Sequence, residues 1–287
     1  MKKQKIIKFQ GGLGNQMFQY ALGEALKKVG NTEVLFDVSW FKKSQKKAHK
    51  KGLGIRYYEM NIFNNINIKF ANKWQILCAK ALDLLGFCKK YKEKDPFYYD
   101  EDIFSDKYNY YSGYFQNENY FKDIKEKLIN DFELPMVRSE DEYNKNLINK
   151  INSYKNPVFI HVRREDYVNL GYTISLEYYK KAVKYIKKHV ENPKFFVFCA
   201  EDTTYIQNNF NIDCDFELIG EKNKTRDSFY ENMRLMLMCR HGILANSSYS
   251  WWGAWLNQNE NKIIVAPSPW LNGDDKIIPE TWVKIKV

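Results

Sequence analysis

Three short stretches of this chain carry residue types that bind anions. The first is Gly11-Gly12-Leu13-Gly14-Asn15-Gln16. Glycines let a backbone turn sharply and approach a ligand, and a following helix offers free N–H groups and a positive dipole end. The spacing is not the GxGxxG of a dinucleotide site, so a phosphate-binding turn and a plain strand–helix turn both fit. The second stretch, His161-Val162-Arg163-Arg164-Glu165-Asp166-Tyr167, sets two guanidiniums beside a carboxylate. Arginine gives forked, charge-assisted hydrogen bonds to phosphate, which suits a diphosphate. A surface Arg–Asp pairing is the alternative. The third, Ala245 to Trp255, runs Asn246-Ser247-Ser248-Tyr249-Ser250 into Trp251-Trp252-Gly253-Ala254-Trp255. Hydroxyls and amides at a helix start make an anion site, and they also cap helices.

Two softer signals accompany these. Glu201-Asp202 follows the apolar run Lys194 to Cys199, where carboxylates in nucleotide folds accept hydrogen bonds from a ribose or base. A helix cap at Asp202 fits equally well. Asp213-Cys214-Asp215 is a DxD triplet of the kind that holds a divalent ion on a diphosphate. It precedes an apolar run, whereas the phosphate-like stretches follow such runs, so it is read as incidental.

These residues need elements to position them, and the pattern supplies an alternating series. Lys5 to Phe9 reads as a strand, Asn15 to Val29 as an amphipathic helix, and Glu33 to Val38 as a second strand. The middle, from about Lys42 to Ser153, is irregular, with a helical stretch near residues 72–88 and the aromatic segment KYNYYSGYFQ. Ser139 to Asn156 reads as a polar helix leading into a linker. A second α/β series follows: strand Val158 to Val162, helix Leu176 to Val190, strand Lys194 to Cys199 and strand Phe216 to Ile219. It continues with helix Tyr230 to Arg240, strand Ile243 to Ala245, helix Ser250 to Asn257 and strand Ile263 to Ala266. Such alternation predicts mostly parallel sheets covered on both faces. Two α/β units place a ligand in the cleft between them, at the carboxyl ends of strands.

Bulk properties bound the rest. The 287 residues suit two domains, and 44% hydrophobic content suffices for their cores. The net charge of +10 favours an anionic partner. Its densest run, Phe41 to Lys51, reads as a solvated loop, with attraction to acidic lipid as the alternative. No helix-turn-helix, zinc-finger or aromatic RNA-binding pattern is present, which argues against nucleic acid. Five cysteines without a CxxC pair argue against a disulfide framework or a structural zinc. The opening residues lack the apolar stretch of a signal peptide, and Trp74 to Cys88 is too short and too charged to span a bilayer. The expected location is cytoplasmic, with peripheral contact to the inner membrane face as an extension.

Together the three stretches resemble one family, the bacterial α-1,2-fucosyltransferases of glycosyltransferase family 11. That family opens with GGLGNQMFQYA, found here as Gly11 to Ala21. Its middle signature HxRRxDY is found as His161 to Tyr167. Its closing signature ANSSFSWWGAWL is found as Ala245 to Leu256, with Tyr249 for Phe. The resemblance spans residues 6–270. The chain departs from the family at Asn232, Leu237 and Gly242, and in Glu201 where the family often carries the first of two Asp.

The resemblance implies an α/β fold of GT-B architecture, two Rossmann-like domains facing a cleft. The expected domains are 1–153, mainly on the acceptor side, and 154–287, which binds the donor. It implies inverting, metal-independent transfer of L-fucose from GDP-β-L-fucose to the 2-hydroxyl of a terminal β-galactoside, in cell-surface glycan synthesis. No cofactor is expected beyond the GDP-L-fucose donor. The expected catalytic residues are Arg163, His161 and Asp166. Donor contacts are expected from Gly12, Gly14, Asn15, Gln16, Arg163, Arg164, Glu201, Asp202, Asn246, Ser247, Ser248 and Ser250. His161, Asp166 and Glu201 are the candidates for a proton acceptor, and catalysis without one is also open.

Overall fold

The computed structural model describes residues 3–51, 55–199, 202–220 and 228–287, without the side chains of residues 47–51, 165, 166, 228 and 229. The chain divides into two compact units, Met1–Glu133 and Leu134–Val287. Each carries its own parallel sheet. The α/β class expected from the alternating pattern is therefore what the structure has.

The first unit contains β1 (Lys3–Lys8), α1 (Leu13–Val29), β2 (Thr32–Asp37), α2 (Ser39–Lys51), α3 (Lys73–Leu84), β3 (Lys89–Lys92), β4 (Tyr108–Ser112) and α4 (Lys125–Asp131). Its sheet order is β2-β1-β4-β3, with every pairing parallel. α1 is buried on all sides from Leu13 to Leu26, Asn15 apart, and Lys27 and Lys28 close its emerging last turn, where cations suit the helix dipole. Phe9 stacks on Phe36 with ring centres 4.5 Å apart at the centre of this core. The lysine run expected as a loop is instead helix α2. Lysine is a good helix former, no Gly or Pro interrupts Ser39–Lys51, and Phe41 anchors the helix by burial.

The second unit contains α5 (Glu142–Asn152), β5 (Pro157–His161), α6 (Glu165–Leu170), α7 (Leu176–His189), β6 (Lys194–Phe198), α8 (Thr203–Asn209) and β7 (Phe216–Ile219). It continues with α9 (Ser228–Met238), β8 (His241–Ile243), α10 (Ser248–Trp255), β9 (Ile264–Ser268) and β10 (Val283–Lys286). The unit begins 20 residues before the expected boundary at 153/154 (residue 134 against 154). The reason is packing: α5, read as a linker helix, lies against α9 and buries Leu147 and Ile151. β8 starts two residues earlier than expected, and β10 was not anticipated. Val283–Lys286 alternates half-buried with exposed residues at a sheet edge, which leaves a weak apolar signal.

The six strands run in the order β10-β9-β8-β5-β6-β7, all parallel. This is the 3-2-1-4-5-6 order of a Rossmann sheet read from the other edge. The chain moves from β5 outward to β7, then returns to lay β8 on the other side of β5. The point where the order reverses lies between β5 and β8, and open α/β sheets bind ligands there. β5 and β6 are buried on both faces, so each reads as a continuous apolar run. α7 covers them through Tyr178, Tyr179, Ala182, Val183 and Ile186, and Ser175 caps its start.

Candidate functional site

The carboxyl ends of β5, β6 and β8 hold most of the expected residues of the second unit. β5 ends at His161, and the chain then passes through Arg163 and Arg164 into α6. β8 ends at Ile243 and leads through Asn246 to Ser247, the cap of α10. Parallel pairing of β5 with β8 brings these two segments side by side.

Three contacts join them. Tyr167 Oη donates to the Asn246 carbonyl at 3.2 Å. Asn246 Nδ2 donates to the Tyr172 carbonyl at 2.9 Å. The His161 and Tyr249 rings lie 5.8 Å apart. Two acceptor-capable atoms here, His161 Nδ1 and Asn246 Oδ1, are buried without a hydrogen-bond partner among the described residues. Such atoms cost stability unless something else satisfies them.

Arg164 is held on two sides. Its Nε donates to Asp202 Oδ2 at 2.7 Å, and its guanidinium carbon lies 3.4 Å from the centre of the Tyr205 ring. Asp202 in turn caps α8, accepting from Tyr205 N at 3.2 Å. Asp202 is therefore the helix cap of the alternative reading, and its second oxygen holds Arg164. The Nη end of Arg164 makes no protein hydrogen bond among the described residues. Arg163 lies 5.6 Å from the Tyr167 ring centre. Its charge, second to burial, drives the His161 imidazole down to a pKa of about 3. His161 is therefore neutral at pH 7, and the local positive charge belongs to the arginines.

The other expected residues divide by environment. Ser247 Oγ accepts from Tyr249 N at 3.3 Å as a helix cap, and Ser248 is half-buried beside it. Ser250 is fully buried, and its hydroxyl lies 3.3 Å from the Ser247 carbonyl and 3.5 Å from that of Ala245. It closes the first turn of α10, a structural position for a residue expected among the donor contacts. The three tryptophans pack the core: Trp251 stacks on Trp255 at 5.9 Å, and its Nε1 donates to the Ile277 carbonyl at 2.9 Å. Glu201 lies outside the described residues, as does the side chain of Asp166.

In the first unit the glycine turn follows β1 at that sheet's own reversal, between β1 and β4. Gly11 has φ +82°, and a Cβ there would meet Asn15 Nδ2 at 2.4 Å. A Cβ on Gly12 would meet nothing within 4 Å, so its backbone is open to approach. Gly14 is buried in the first turn of α1. Asn15 is half-buried, and its Oδ1 accepts from Gln116 Nε2 at 2.6 Å. Gln16 corrects the expectation. It is fully buried, donates to the Gly11 and Tyr57 carbonyls at 3.1 and 2.9 Å, and accepts from Glu59 N at 2.9 Å. Its amide holds the turn with both N–H donors engaged.

Sequence reasoning passed over Tyr205, Gln116 and Glu93. Tyr205 carried one usable signal, an aromatic three residues after a capping aspartate. Glu93 lies just past β3 and accepts from Tyr114 N and Phe115 N, both at 2.6 Å. Burial outweighs these donors and pushes its carboxyl up to about 7. Nothing local in the sequence pairs residue 93 with residues 114 and 115. The DxD triplet lies at the amino end of β7, opposite the strand ends that carry His161 and the arginines.

Comparison with known proteins gives a consistent set. The model of glycosyl transferase family 11 matches residues 2–285. The chain is 30% identical to a protein named alpha-1,2-colitosyltransferase from Escherichia coli, over 98% of each chain. It is 28% identical to the O-antigen biosynthesis glycosyltransferase WbnK from Escherichia coli, over 96% of this chain and 98% of that one. Among solved structures, a glycosyl transferase family 9 protein from Veillonella parvula matches with TM-score 0.49 and 10% identity, over 100% of this chain and 88% of the other. The NodZ alpha-1,6-fucosyltransferase soaked with GDP-fucose matches with TM-score 0.48 and 16% identity, over 89% and 93%.

Proposed function

The chain belongs to glycosyl transferase family 11, and from that premise we propose that it transfers L-fucose from GDP-β-L-fucose to the 2-hydroxyl of a terminal β-galactoside. As a glycosyltransferase it uses a nucleotide-sugar donor and a glycan acceptor. The observation that carries the donor reading is Arg164, anchored through Nε and one face, with an Nη end that makes no hydrogen bond among the described residues. A guanidinium held in this way is pre-organised for phosphate oxygens.

In the reaction the bond from the fucose anomeric carbon to the diphosphate oxygen breaks, and the electron pair leaves with GDP. The acceptor hydroxyl oxygen bonds the opposite face of the carbon and gives up its proton to water or to the departing GDP, so the β-linked donor gives an α-linked product. Arg163 and Arg164 oppose the charge that grows on the leaving phosphate. Asn246, Ser247 and Ser248 are proposed to add hydrogen bonds to the phosphate or the sugar. The fucosyl 2-linkage draws support from the 1,2-linkage in the name of the colitosyl relative. The O-antigen role in the name of the second relative supports a cell-surface glycan as acceptor.

His161 acts as a positioning residue. An imidazole with a pKa near 3 is a weak proton acceptor at pH 7, and its neutrality spares the arginines a competing charge. Departure of GDP then leads the reaction, and an electron-deficient sugar accepts a poor nucleophile. The proposed chemistry needs no metal, because two arginines supply the charge a divalent ion would.

A second donor reading has its own support. The relative named for colitose covers 98% of this chain, so an activated colitose is the alternative sugar. Incubation with GDP-fucose and a panel of galactosides, followed by linkage analysis of the product, tests the proposal. A 2-linked α-fucosyl galactoside supports it. Transfer only from an activated colitose makes the second reading correct, and GDP binding without transfer to any acceptor refutes both.

A further inference from the structure

Helix α3 presents an apolar face to solvent. It begins at a reciprocal cap, in which Asn72 Oδ1 accepts from Gln75 N and Gln75 Oε1 accepts from Asn72 N, both at 2.9 Å. The helix meets its own unit through the small residue Ala79 and half-buried Ile76, which pack with Ile6, Leu35 and Tyr110. The opposite face carries Trp74, Leu77, Ala81, Leu84 and Leu85, a spacing that lines one side of a helix. Trp74 is 76% exposed, Leu84 88% and Leu85 67%, and Phe87 beyond the helix end is 76% exposed. Soluble monomers rarely leave large contiguous apolar patches open, and such patches mark interaction surfaces.

The surround is basic. Residues 69–90 hold five lysines and one carboxylate, Asp83. Asp83 is engaged in accepting the Lys90 backbone N–H at 2.9 Å. Lys80 and Lys90 converge on one ring, with Nζ atoms 5.9 and 5.7 Å from the centre of Tyr110. Lys8 lies close enough to Lys90, Lys43 and Lys80 for their charges to lower its pKa, after burial as the main cause. Lysines from β1, α2, α3 and β3 thus gather around Tyr110, against which α3 packs. Among the described residues no helix is long and apolar enough to cross a membrane, and α3 is too short to do so.

We infer that the exposed face of α3 is a membrane-surface docking element, with Trp74, Leu77, Leu84, Leu85 and Phe87 entering the interface of an anionic bilayer and the flanking lysines facing its headgroups. An amphipathic helix with an aromatic anchor and bordering lysines has the composition of interfacial helices. Charge decides between a bilayer and a second copy of the chain. Apposed copies would press two lysine clusters together, whereas acidic headgroups complement them. The inference stands apart from the donor chemistry, because binding to a surface needs no turnover.

The test is flotation of the full-length protein with vesicles of phosphatidylcholine alone or with about a third phosphatidylglycerol. The wild type is expected to float with the acidic vesicles, and less as salt is raised. Trp74→Ser/Leu77→Ser/Leu85→Ser should cut the bound fraction at least ten-fold. Lys73→Gln/Lys80→Gln should cut it by about five-fold per lysine on acidic vesicles only. The substituted side chains are exposed, so circular dichroism should match the wild type, and the single variant Trp74→Lys serves if the triple variant fails to fold. A wild type that stays with the soluble fraction on acidic vesicles would overturn the inference. So would variants that float as well as the wild type. A concentration-dependent dimer, broken by the triple variant and showing no flotation, would assign the face to self-association and overturn it too.

Discussion

Replacement of Arg164 by Lys separates charge from geometry at the proposed donor site. The wild-type side chain makes two contacts, Nε to Asp202 at 2.7 Å and a face on Tyr205 at 3.4 Å, and its Nη end is the part proposed to meet the phosphate. Lysine has one ammonium at the end of a flexible stem. It can meet Asp202 or a phosphate oxygen, but not both, and it has no planar face to stack. The loss falls on the transition state, because the phosphate gains charge as the sugar departs. Removal of one such pre-organised donor costs about 3–4 kcal/mol, or roughly 10²–10³-fold in kcat. Arg164→Lys should therefore be nearly as impaired as Arg164→Ala. Asp202→Asn keeps the cap of α8 and weakens only the anchor. The pair is partly exposed, so its loss should cost about 1 kcal/mol and reduce kcat about five-fold. Steady-state kcat and GDP affinity on each variant, with circular dichroism as the folding control, make the measurement. Turnover of Arg164→Lys within three-fold of the wild type would refute the anchored-fork argument, whatever Asp202→Asn does.

Arg163→Lys and Arg163→Ala should both lose on the order of 10²–10³-fold in kcat with intact folding, and near-wild-type turnover in both would remove the diphosphate role from His161 to Tyr167. Activity should survive excess EDTA. Complete loss, with rescue by Mn²⁺ or Mg²⁺, would turn attention to Asp213 and Asp215. The buried neutral His161 predicts acid sensitivity. Its folded pKa of about 3 lies below an unfolded value of about 6.5, so its contribution is full above pH 6.5 and is lost as pH falls toward 3. In denaturant titrations His161→Asn should show a slope in that window shallower by about 1.4 kcal/mol per pH unit, and parallel curves would show that the imidazole is not held neutral.

Much of this protein was legible in its sequence. The continuous apolar runs of β5 and β6 and the helical spacing of α1 and α7 gave their elements to within one or two residues. The glycine turn, the HxRRxDY stretch and the ANSSYSWWGAWL stretch are contiguous words, and each marked a strand end before any strand had a neighbour. What the sequence did not carry was which strands stand together. The reversal between β5 and β8 sets Tyr167 beside Asn246, residues 79 positions apart (246 against 167). Non-local pairing of this kind leaves no local periodicity to read.

The same limit explains the residues whose roles changed. Gln16 and Ser250 sit in motifs rich in candidate ligand contacts, but their polar atoms are engaged by Gly11, Tyr57, Glu59, Ala245 and Ser247. A polar side chain is available to a ligand only if the fold leaves its hydrogen-bonding capacity open. Helix α3 makes the point for apolar residues. Its sequence fixes a helix with an apolar stripe, and the ordinary inference turns such a stripe toward the core. The structure turns Ala79 and Ile76 inward and leaves Trp74, Leu77 and Leu84 outside. Periodicity determines that a stripe exists, because 3.6 residues per turn align it. Only tertiary packing decides which way the stripe faces, because that depends on which face the neighbouring sheet has room to cover.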